Sequence, residues 1–318
     1  MGRTFINQLK PGNKVDEVLV LKSKEVRSYG NGKNSIRAEL ADRTGSIAAV
    51  MWDVSADQIE SFGTDGFLRV QGEVGEYKNK PQLKITSFSQ ELIPPNMEEL
   101  FPSTQKDVGQ LWKELEEIVG AVKNPHLSKL LKSFLEDEDV SRRLSQCPAS
   151  VTYHHAFLGG LLDHVVSVTG LAMKVADHYP HLLDKDLMIT GMVLHDIGKT
   201  RELSYKSGFQ YTDHGRLVGH IVGGVLMVEE KAAGIKGFPA ELLDQVRHII
   251  LSHHGEVDSN SPRLPMTAEA LAIHYLDNLD AKLQGFSRVV AENPDPESNW
   301  TAYHRMFGTM LYKGTKGV

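Results

Sequence analysis

The sequence predicts an α+β protein of more than one domain, in which a small β-barrel precedes an all-helical core. Residues 1–95 carry β-branched residues in partial alternation, interrupted by turn signals, as expected for short strands. From about residue 150 onward the apolar spacing is helical throughout. At 318 residues the chain is also longer than most single domains, which favours two or three.

The first predicted domain, residues 1–95, contains about five short strands. Turns rich in Gly, Asn or Asp separate them at 30–34, 42–45 and 77–81. Five strands in a unit of this length suit a small closed barrel, and the OB-fold is the commonest barrel of this kind. The sequence therefore predicts an OB-fold, with a binding face on its middle strands and their connecting loops.

OB-folds bind single-stranded nucleic acid by stacking bases on aromatic rings while cations follow the phosphates. The side chains that suit this role are Lys24, Arg27, Tyr29, Arg37 and Trp52. The alternative, in which Trp52 fills the barrel core and the cations are only solvated, fits the sequence equally well. Acidic and basic residues nearly balance in this region, so its charge supports a binding groove only weakly.

Residues 96–150 are predicted to form a linker and a helical region. A proline-marked stretch at 92–104 precedes a helical pattern that is interrupted near Pro125. The third predicted domain, residues 151–318, is wholly helical.

Composition limits the classes of function. No apolar run is long enough to span a bilayer, and the N-terminus lacks a signal core, so we expect a cytoplasmic protein without a membrane partner. The single cysteine, Cys147, suits a reducing compartment. The net charge of −6 argues against coating nucleic acid by bulk electrostatics, although it allows a local basic groove.

Five predicted helices in the third domain each place a histidine or a carboxylate at the edge of an apolar face. One such histidine is usually a hydrogen-bonded core residue, but five convergent cases indicate a divalent metal site. Because the donors are imidazoles and carboxylates without thiolates, Mn, Fe, Zn and Mg remain open, as does Co. The residues concerned are His164, His195, Asp196, His220, His253, His254 and Asp277, with Asp280 either supporting a ligand or exposed.

The order of these elements resembles the HD-domain metal-dependent phosphohydrolases. The resemblance rests on an early His, the doublet in HDIGK at 195–199 and a late Asp. His220 and the pair His253-His254, lying between the doublet and the last Asp, resemble the members that hold two metals. The resemblance implies that one ion is held by His164, His195, Asp196 and Asp277, and that a second is held by His220, His253 and His254, with Asp196 bridging.

Four further residues are candidates for substrate contact or catalysis. Asp196 and Lys199 are the predicted catalytic pair, because the ammonium of Lys199 could bind the scissile phosphate. A solvated lysine at a helix C-terminus is the competing interpretation. Arg201 is a second phosphate-binding candidate, and His154 and His155 could line the substrate channel or simply begin a helix.

The whole chain is similar to the YhaM-type 3′→5′ exoribonucleases. The similar stretches are FINQLKPG, LADRTGSIAAVMWD, YHHAFLGGLLDHVVSV, HDIGKTREL and GHIVGG. The resemblance implies Mn²⁺-dependent removal of nucleotides from the 3′ ends of single-stranded RNA, and of DNA as a second substrate. Two other functions stay open, a phosphohydrolase of small nucleotides and a non-enzymatic nucleic-acid-binding factor. The C-terminal YHRMFGTMLYKGTKGV suits either a homo-oligomer contact or packing on its own domain.

Overall fold

The computed structural model describes residues 3–30, 32–92, 94, 96–151, 155–205, 208–256, 261–291 and 298–314. The chain divides into two compact units. The first comprises 1–103 together with 204–210, and the second comprises 104–203 and 211–318. The predicted class, an N-terminal OB-fold followed by a helical domain, is confirmed.

The first unit is a closed five-stranded barrel with the order β1-β2-β3-β5-β4. A short helix, α1 (Ala56–Ser61), follows β3. The pairs are antiparallel except for β3 with β5, which is parallel. The strands are β1 (Lys14–Tyr29), β2 (Lys33–Asp42), β3 (Gly45–Met51), β4 (Gly66–Tyr77) and β5 (Lys80–Glu91).

Barrel closure depends on irregularities in the strand ladders. The sixteen residues of β1 serve two neighbours, because the N-terminal half pairs with β4 and the rest with β2, with a register shift between Leu21 and Ser23. A second shift lies at Gly72, where a Cβ would stand 2.2 Å from the carbonyl oxygen of Lys84. Glycine therefore permits the close strand approach that this barrel needs.

The second unit is helical. Its early helices are α2 (Val108–Gly120), α3 (Pro125–Leu135) and α4 (Glu138–Gln146), and Pro125 occupies the first turn of α3, which explains the interruption in the sequence pattern. The remaining helices are α5 (Gly160–His178), α6 (Lys185–Leu194), α7 (Lys199–Glu202), α8 (Asp213–Ala233), α9 (Ala240–Ser252) and α10 (Ala268–Ala291). A two-residue ladder, β6 (Leu203–Ser204) with β7 (Gln210–Tyr211), interrupts the region that the sequence predicts as wholly helical.

Burial of α5 and α6 sets the position of the site. Leu187 to Leu194 of α6 are all buried, and α5 is buried along most of its length, so both helices run through the core. Such helices carry a polar side chain only where other elements supply partners. Among the described residues, none of the helices has the length and apolar character needed to cross a membrane.

Candidate metal centre

The predicted ligands converge in the second unit. His164 lies on α5, the doublet His195-Asp196 follows α6, and His220 lies on α8. His253 and His254 follow the end of α9, and Asp277 lies on α10. Residues from five separate segments thus meet at one point, as the sequence predicts.

The first group of donors surrounds His195. The Nε2 atoms of His164 and His195 are 3.3 Å apart, and His164 Nε2 lies 3.2 Å from Asp277 Oδ1. His195 Nε2 is 3.3 Å from Asp196 Oδ2. Ligand atoms bound at about 2.1 Å to one tetrahedral or octahedral ion lie about 3.0–3.4 Å apart, so this spacing fits a single divalent cation.

The second group shares Asp196 with the first. Asp196 Oδ1 lies 3.5 Å from His220 Nε2 and 3.6 Å from His253 Nε2. These three atoms are buried and have no hydrogen-bond partner within the described part of the chain. His254 stands beside them, with its ring centroid 4.3 Å from that of His253. Buried lone pairs without donors are costly, and a cation among them would satisfy all three.

The orientation of the imidazoles supports metal binding. In each of four rings Nδ1 faces an acceptor that cannot donate, so Nδ1 carries a hydrogen and Nε2 is directed to the centre, where it can bind a cation in place of a proton. The acceptors are Asp280 Oδ2 for His164 at 2.9 Å, the Met192 carbonyl for His195 at 2.7 Å, Glu202 Oε1 for His220 at 3.1 Å and the Ile250 carbonyl for His253 at 2.7 Å.

Electrostatics distinguish the two groups. Burial favours neutral His195, but the carboxylates of Asp196 and Asp277 outweigh it and raise the pKa of His195 to about 10. Burial together with nearby His195 holds the pKa of His253 well below its ordinary value. The first group therefore demands positive charge at its centre, which a divalent cation supplies, while His253 of the second group presents a neutral imidazole.

Lys199 lies beside the shared carboxylate. It begins α7, is buried, and its Nζ donates to Asp196 Oδ2 at 2.6 Å. The interpretation as a solvated lysine at a helix C-terminus is therefore wrong, because the chain turns between α6 and α7 and carries Lys199 inward. Gly198, directly before Lys199, permits the close approach of α8, since a Cβ there would lie 2.0 Å from the carbonyl oxygen of His220.

Glu202 is a site residue that the sequence analysis missed. Its Oε1 accepts from both the backbone N–H and Nδ1 of His220, at 3.0 and 3.1 Å. His220 follows Gly219, which has φ +74° inside α8, so the carboxylate holds the ring at a break in the helix. The available signal was an acidic residue seven positions after His195, and its burial is visible only in the fold.

Asp280 contacts the first group through Nδ1 of His164, the ring nitrogen that faces away from the predicted metal. It is buried, and its Oδ2 accepts from His164 Nδ1 and from His155 Nε2, at 2.9 and 3.0 Å. Of the two interpretations that the sequence leaves open, the exposed one is therefore wrong. His155 is buried against Asp280, a position that supports the ligand His164. His154 lies outside the described residues.

A cleft of about 590 Å³ opens beside the second group. Its walls include Lys199, His220, His254, Tyr211 and Arg216. A phosphate entering it would meet cationic groups next to the buried lone pairs. Arg201 is exposed and pairs with Glu230 at 3.7 Å on the surface.

The predicted nucleic-acid contacts of the barrel are exposed at Arg27 and Trp52 and half-buried at Lys24, Tyr29 and Arg37. Trp52 is 49% exposed, so the interpretation that it fills the core is wrong. The Tyr29 ring meets Trp52 edge-on at 5.0 Å, and its hydroxyl donates to Asp53. Arg27 pairs with Glu25 at 2.9 Å. Lys24 donates to the carbonyl of Ile59, and Lys24 and Arg37 line a second groove of about 340 Å³.

Comparison with known proteins agrees with this architecture. Residues 21–90 match the model of an OB-fold nucleic acid binding domain, and residues 161–282 match the HD domain. The chain is 34% identical to the 3'-5' exoribonuclease YhaM of Geobacillus sp. (strain WCH70), over 96% of this chain and 97% of that protein. It is 33% identical to the 3'-5' exoribonuclease YhaM of Bacillus subtilis (strain 168), over 88% of each.

Identity of this level over nearly the whole of both chains is not confined to one domain, because it includes the barrel, the connecting helices and the HD core. The resemblance drawn from the sequence motifs is therefore confirmed. The chain belongs to the family of YhaM 3'-5' exoribonucleases, phosphodiester hydrolases with an OB-fold and an HD domain.

Proposed function

We propose that this protein is a metal-dependent 3′→5′ exoribonuclease that releases nucleoside monophosphates from single-stranded RNA, with single-stranded DNA as a second substrate. The direction and the RNA substrate come from the names of its relatives. The observation that carries the metal dependence is the group of buried atoms around Asp196 Oδ1, which have no hydrogen-bond partner among the described residues.

The donor set fits one or two divalent cations. His164, His195, Asp196 and Asp277 would hold one, and His220, His253 and His254 would hold the other with Asp196 shared. When bound, such a cation activates water for attack on phosphorus and neutralises phosphate charge. Mn²⁺ is the ion we favour, because the resemblance to the YhaM-type enzymes implies it and imidazole and carboxylate donors without thiolate are compatible with it.

The remaining residues orient the reacting groups. Asp280 and Glu202 fix the tautomers of His164 and His220, so that Nε2 of each ring faces inward. Lys199, already buried against Asp196, provides a positive charge for the scissile phosphate. Hydrolysis breaks the bond from phosphorus to the 3′ oxygen of the preceding nucleotide, and that oxygen takes the proton lost by water.

The barrel would supply affinity for the strand. Aromatic stacking and phosphate contacts do not depend on base identity, which suits an enzyme that shortens RNA of any sequence. We assign this role to residues 1–95, through the half-buried ring of Tyr29, the exposed ring of Trp52 and the cations Lys24, Arg27 and Arg37. Hydrolysis is assigned to residues 151–318.

The test uses a 5′-labelled single-stranded RNA with the full-length protein, in Mn²⁺ or in EDTA. We expect a ladder that shortens from the 3′ end only with metal, lost in Asp196→Ala and retained in Asp177→Ala, whose carboxylate pairs with Lys185 on the surface. Shortening that persists in EDTA would contradict the metal dependence. Binding without shortening in Mn²⁺, Fe²⁺, Zn²⁺, Mg²⁺ and Co²⁺ would contradict the enzyme and favour a binding factor.

The same assay distinguishes the substrates. A DNA strand of the same sequence should be shortened as well, whereas a blunt RNA duplex should resist because its 3′ end is paired. Hydrolysis of small phosphorylated nucleotides, with no effect on RNA, would instead support a nucleotide phosphohydrolase.

A further inference from the structure

The cleft beside the second group of donors contains an arginine that the metal centre does not use. Arg216 lines this cleft on α8, three residues before the break at Gly219, and its side chain is exposed. Its guanidinium has no hydrogen bond or ion pair among the described residues. By contrast, Lys199 is held by Asp196, and Arg201 pairs with Glu230. Because Arg216 lies in the wall of a cleft that also contains metal donors, its charge is available to an anionic group of the substrate.

The same cleft also offers an aromatic and apolar surface. Tyr211, on β7, lines it and is 48% exposed, and Leu217, the neighbour of Arg216, is 86% exposed. Within the part of the chain that the structure describes, the Tyr211 ring packs on no other ring. An uncovered aromatic ring close to an unpaired cation is the combination by which proteins hold a base together with a backbone phosphate. The volume, about 590 Å³, is in the usual range for a pocket that binds a molecule of nucleotide size.

The chemistry of the proposed reaction indicates which nucleotide this surface meets. The scissile phosphate lies at the metal donors, where Lys199 already provides a cation. The 3′-terminal nucleotide carries no phosphate on its other side, because its 3′ oxygen is a free hydroxyl. A second cation in the cleft therefore finds a phosphate of its own only on the 5′ side of the scissile bond. The strand leaves the site toward solvent in that direction, which suits the exposure of Tyr211 and Arg216.

We propose that this cleft binds the penultimate nucleotide of the strand, with Tyr211 stacking on its base and Arg216 binding its 5′ phosphate. The inference rests on the proposed exonuclease function and adds two residues that position its substrate. Since stacking does not depend on base identity, such a subsite holds any sequence while it places the next phosphate at the metal donors.

The first test removes the charge of that one phosphate from the substrate. Two 5′-labelled single strands differ only at the second linkage from the 3′ end, a phosphate in one and an uncharged methylphosphonate in the other. Both carry 2′-deoxyribose beside this linkage for chemical stability. With wild type, kcat/KM for release of the first nucleotide should be about 10–100-fold lower on the methylphosphonate strand, because a charge-assisted contact is lost. Arg216→Ala should show the same loss on the phosphate strand and should not distinguish the two strands.

The control and the contrary outcomes are equally specific. Arg305→Ala removes an exposed arginine that also has no partner among the described residues, and it should keep the wild-type preference for the phosphate strand. If Arg216→Ala slows both strands by the same factor, the guanidinium binds the scissile phosphate and the assignment is wrong. If Arg216→Ala behaves as wild type on both strands, Arg216 binds no phosphate.

The second test removes the base of the penultimate nucleotide. An abasic residue at this position should lower kcat/KM of wild type about 5–150-fold, the contribution of one stacked base. Tyr211→Ala should show the same loss on the intact strand and no further loss on the abasic strand. Tyr211→Phe keeps the ring and should match wild type, as should Tyr179→Ala, whose ring is 52% exposed elsewhere in the helical unit. Equal loss in Tyr211→Phe and Tyr211→Ala would assign the effect to the hydroxyl and overturn the stacking.

Two further measurements separate this inference from the proposed function. Mn²⁺ titration and melting temperature should be unchanged in Arg216→Ala and Tyr211→Ala, because both side chains are exposed and neither is a predicted ligand. The affinity of the phosphate and methylphosphonate strands for Asp196→Ala measures the cleft without hydrolysis, and should favour the phosphate strand about 10–100-fold. A wild type that shortens no RNA would refute the proposed function, whereas equal affinity for the two strands would refute the role of Arg216.

Discussion

One carboxylate oxygen of Glu202 accepts two hydrogen bonds from His220, from the backbone N–H at 3.0 Å and from Nδ1 at 3.1 Å. His220 directly follows Gly219, the residue at which α8 departs from helical geometry. The ring would otherwise be free to rotate at this break. Glu202 therefore decides whether the second group of donors is assembled before a cation arrives.

Substitution of Glu202 should weaken metal binding by the second group of donors more than by the first. In Glu202→Ala we expect the affinity of the second group to fall about 10–100-fold, the usual effect of removing a carboxylate that orients a ligand histidine. Calorimetric titration of Mn²⁺ into the metal-free protein measures this directly. Glu230→Ala, which removes a surface partner of Arg201, serves as the control and should titrate as wild type. Equal loss at both sites would argue for a general folding defect.

Asp280→Asn should affect the first group in the same way. Asp280 accepts hydrogen bonds from Nδ1 of His164 and from His155. Burial alone would raise the pKa of the Asp280 carboxyl, but these two bonds outweigh burial and hold that pKa below its ordinary value. An amide can turn its NH₂ toward His164 and favour the wrong tautomer. We expect about 10–100-fold weaker binding of the ion at the first group, with the surface variant Asp177→Asn unchanged. An unchanged titration in Asp280→Asn would show that the tautomer needs no such support.

Stability of the metal-free protein should fall as pH rises above neutrality. Burial alone would lower the pKa of His195, but the adjacent carboxylates outweigh burial. The pKa therefore rises from 6.5 in the unfolded chain to about 10 in the folded protein. The folded state therefore binds a proton more tightly, and the stability that this provides is complete below about pH 6.5 and is lost as pH approaches 10. Melting temperature measured in EDTA from pH 7 to 10 should decrease.

The same proton binding by His195 predicts how metal changes the melting temperature across this pH range. A cation competes with the proton for His195, so the gain in Tm on adding Mn²⁺ should grow between pH 7 and the onset of hydroxide precipitation. A gain that shrinks over this interval would mean that the first group binds no metal.

The sequence predicts the barrel well because each strand is bounded by turn residues, as at 42–45 and 77–81. It also predicts which histidines and carboxylates come together, since histidines on apolar helices are unusual. It does not predict the inward position of Lys199, which depends on a helix break between Leu194 and Lys199 that spacing alone does not reveal. Nor does it decide between the core and the surface for Trp52, because an aromatic ring after a strand suits either.

The exposed position of Trp52 makes the barrel's role measurable. Trp52→Ala should reduce affinity for a single-stranded RNA by about 1–3 kcal/mol, the contribution of one stacked base, which is about 5–150-fold in Kd. If Trp52 contributes only affinity for the strand, the effect should appear in KM for long RNA rather than in kcat. Tyr179→Ala removes an aromatic ring of similar exposure from the helical unit and should leave both constants unchanged. If long RNA binds equally well without the Trp52 ring, the stacking surface lies elsewhere on the barrel, and the assignment of Tyr29 and Trp52 must be abandoned.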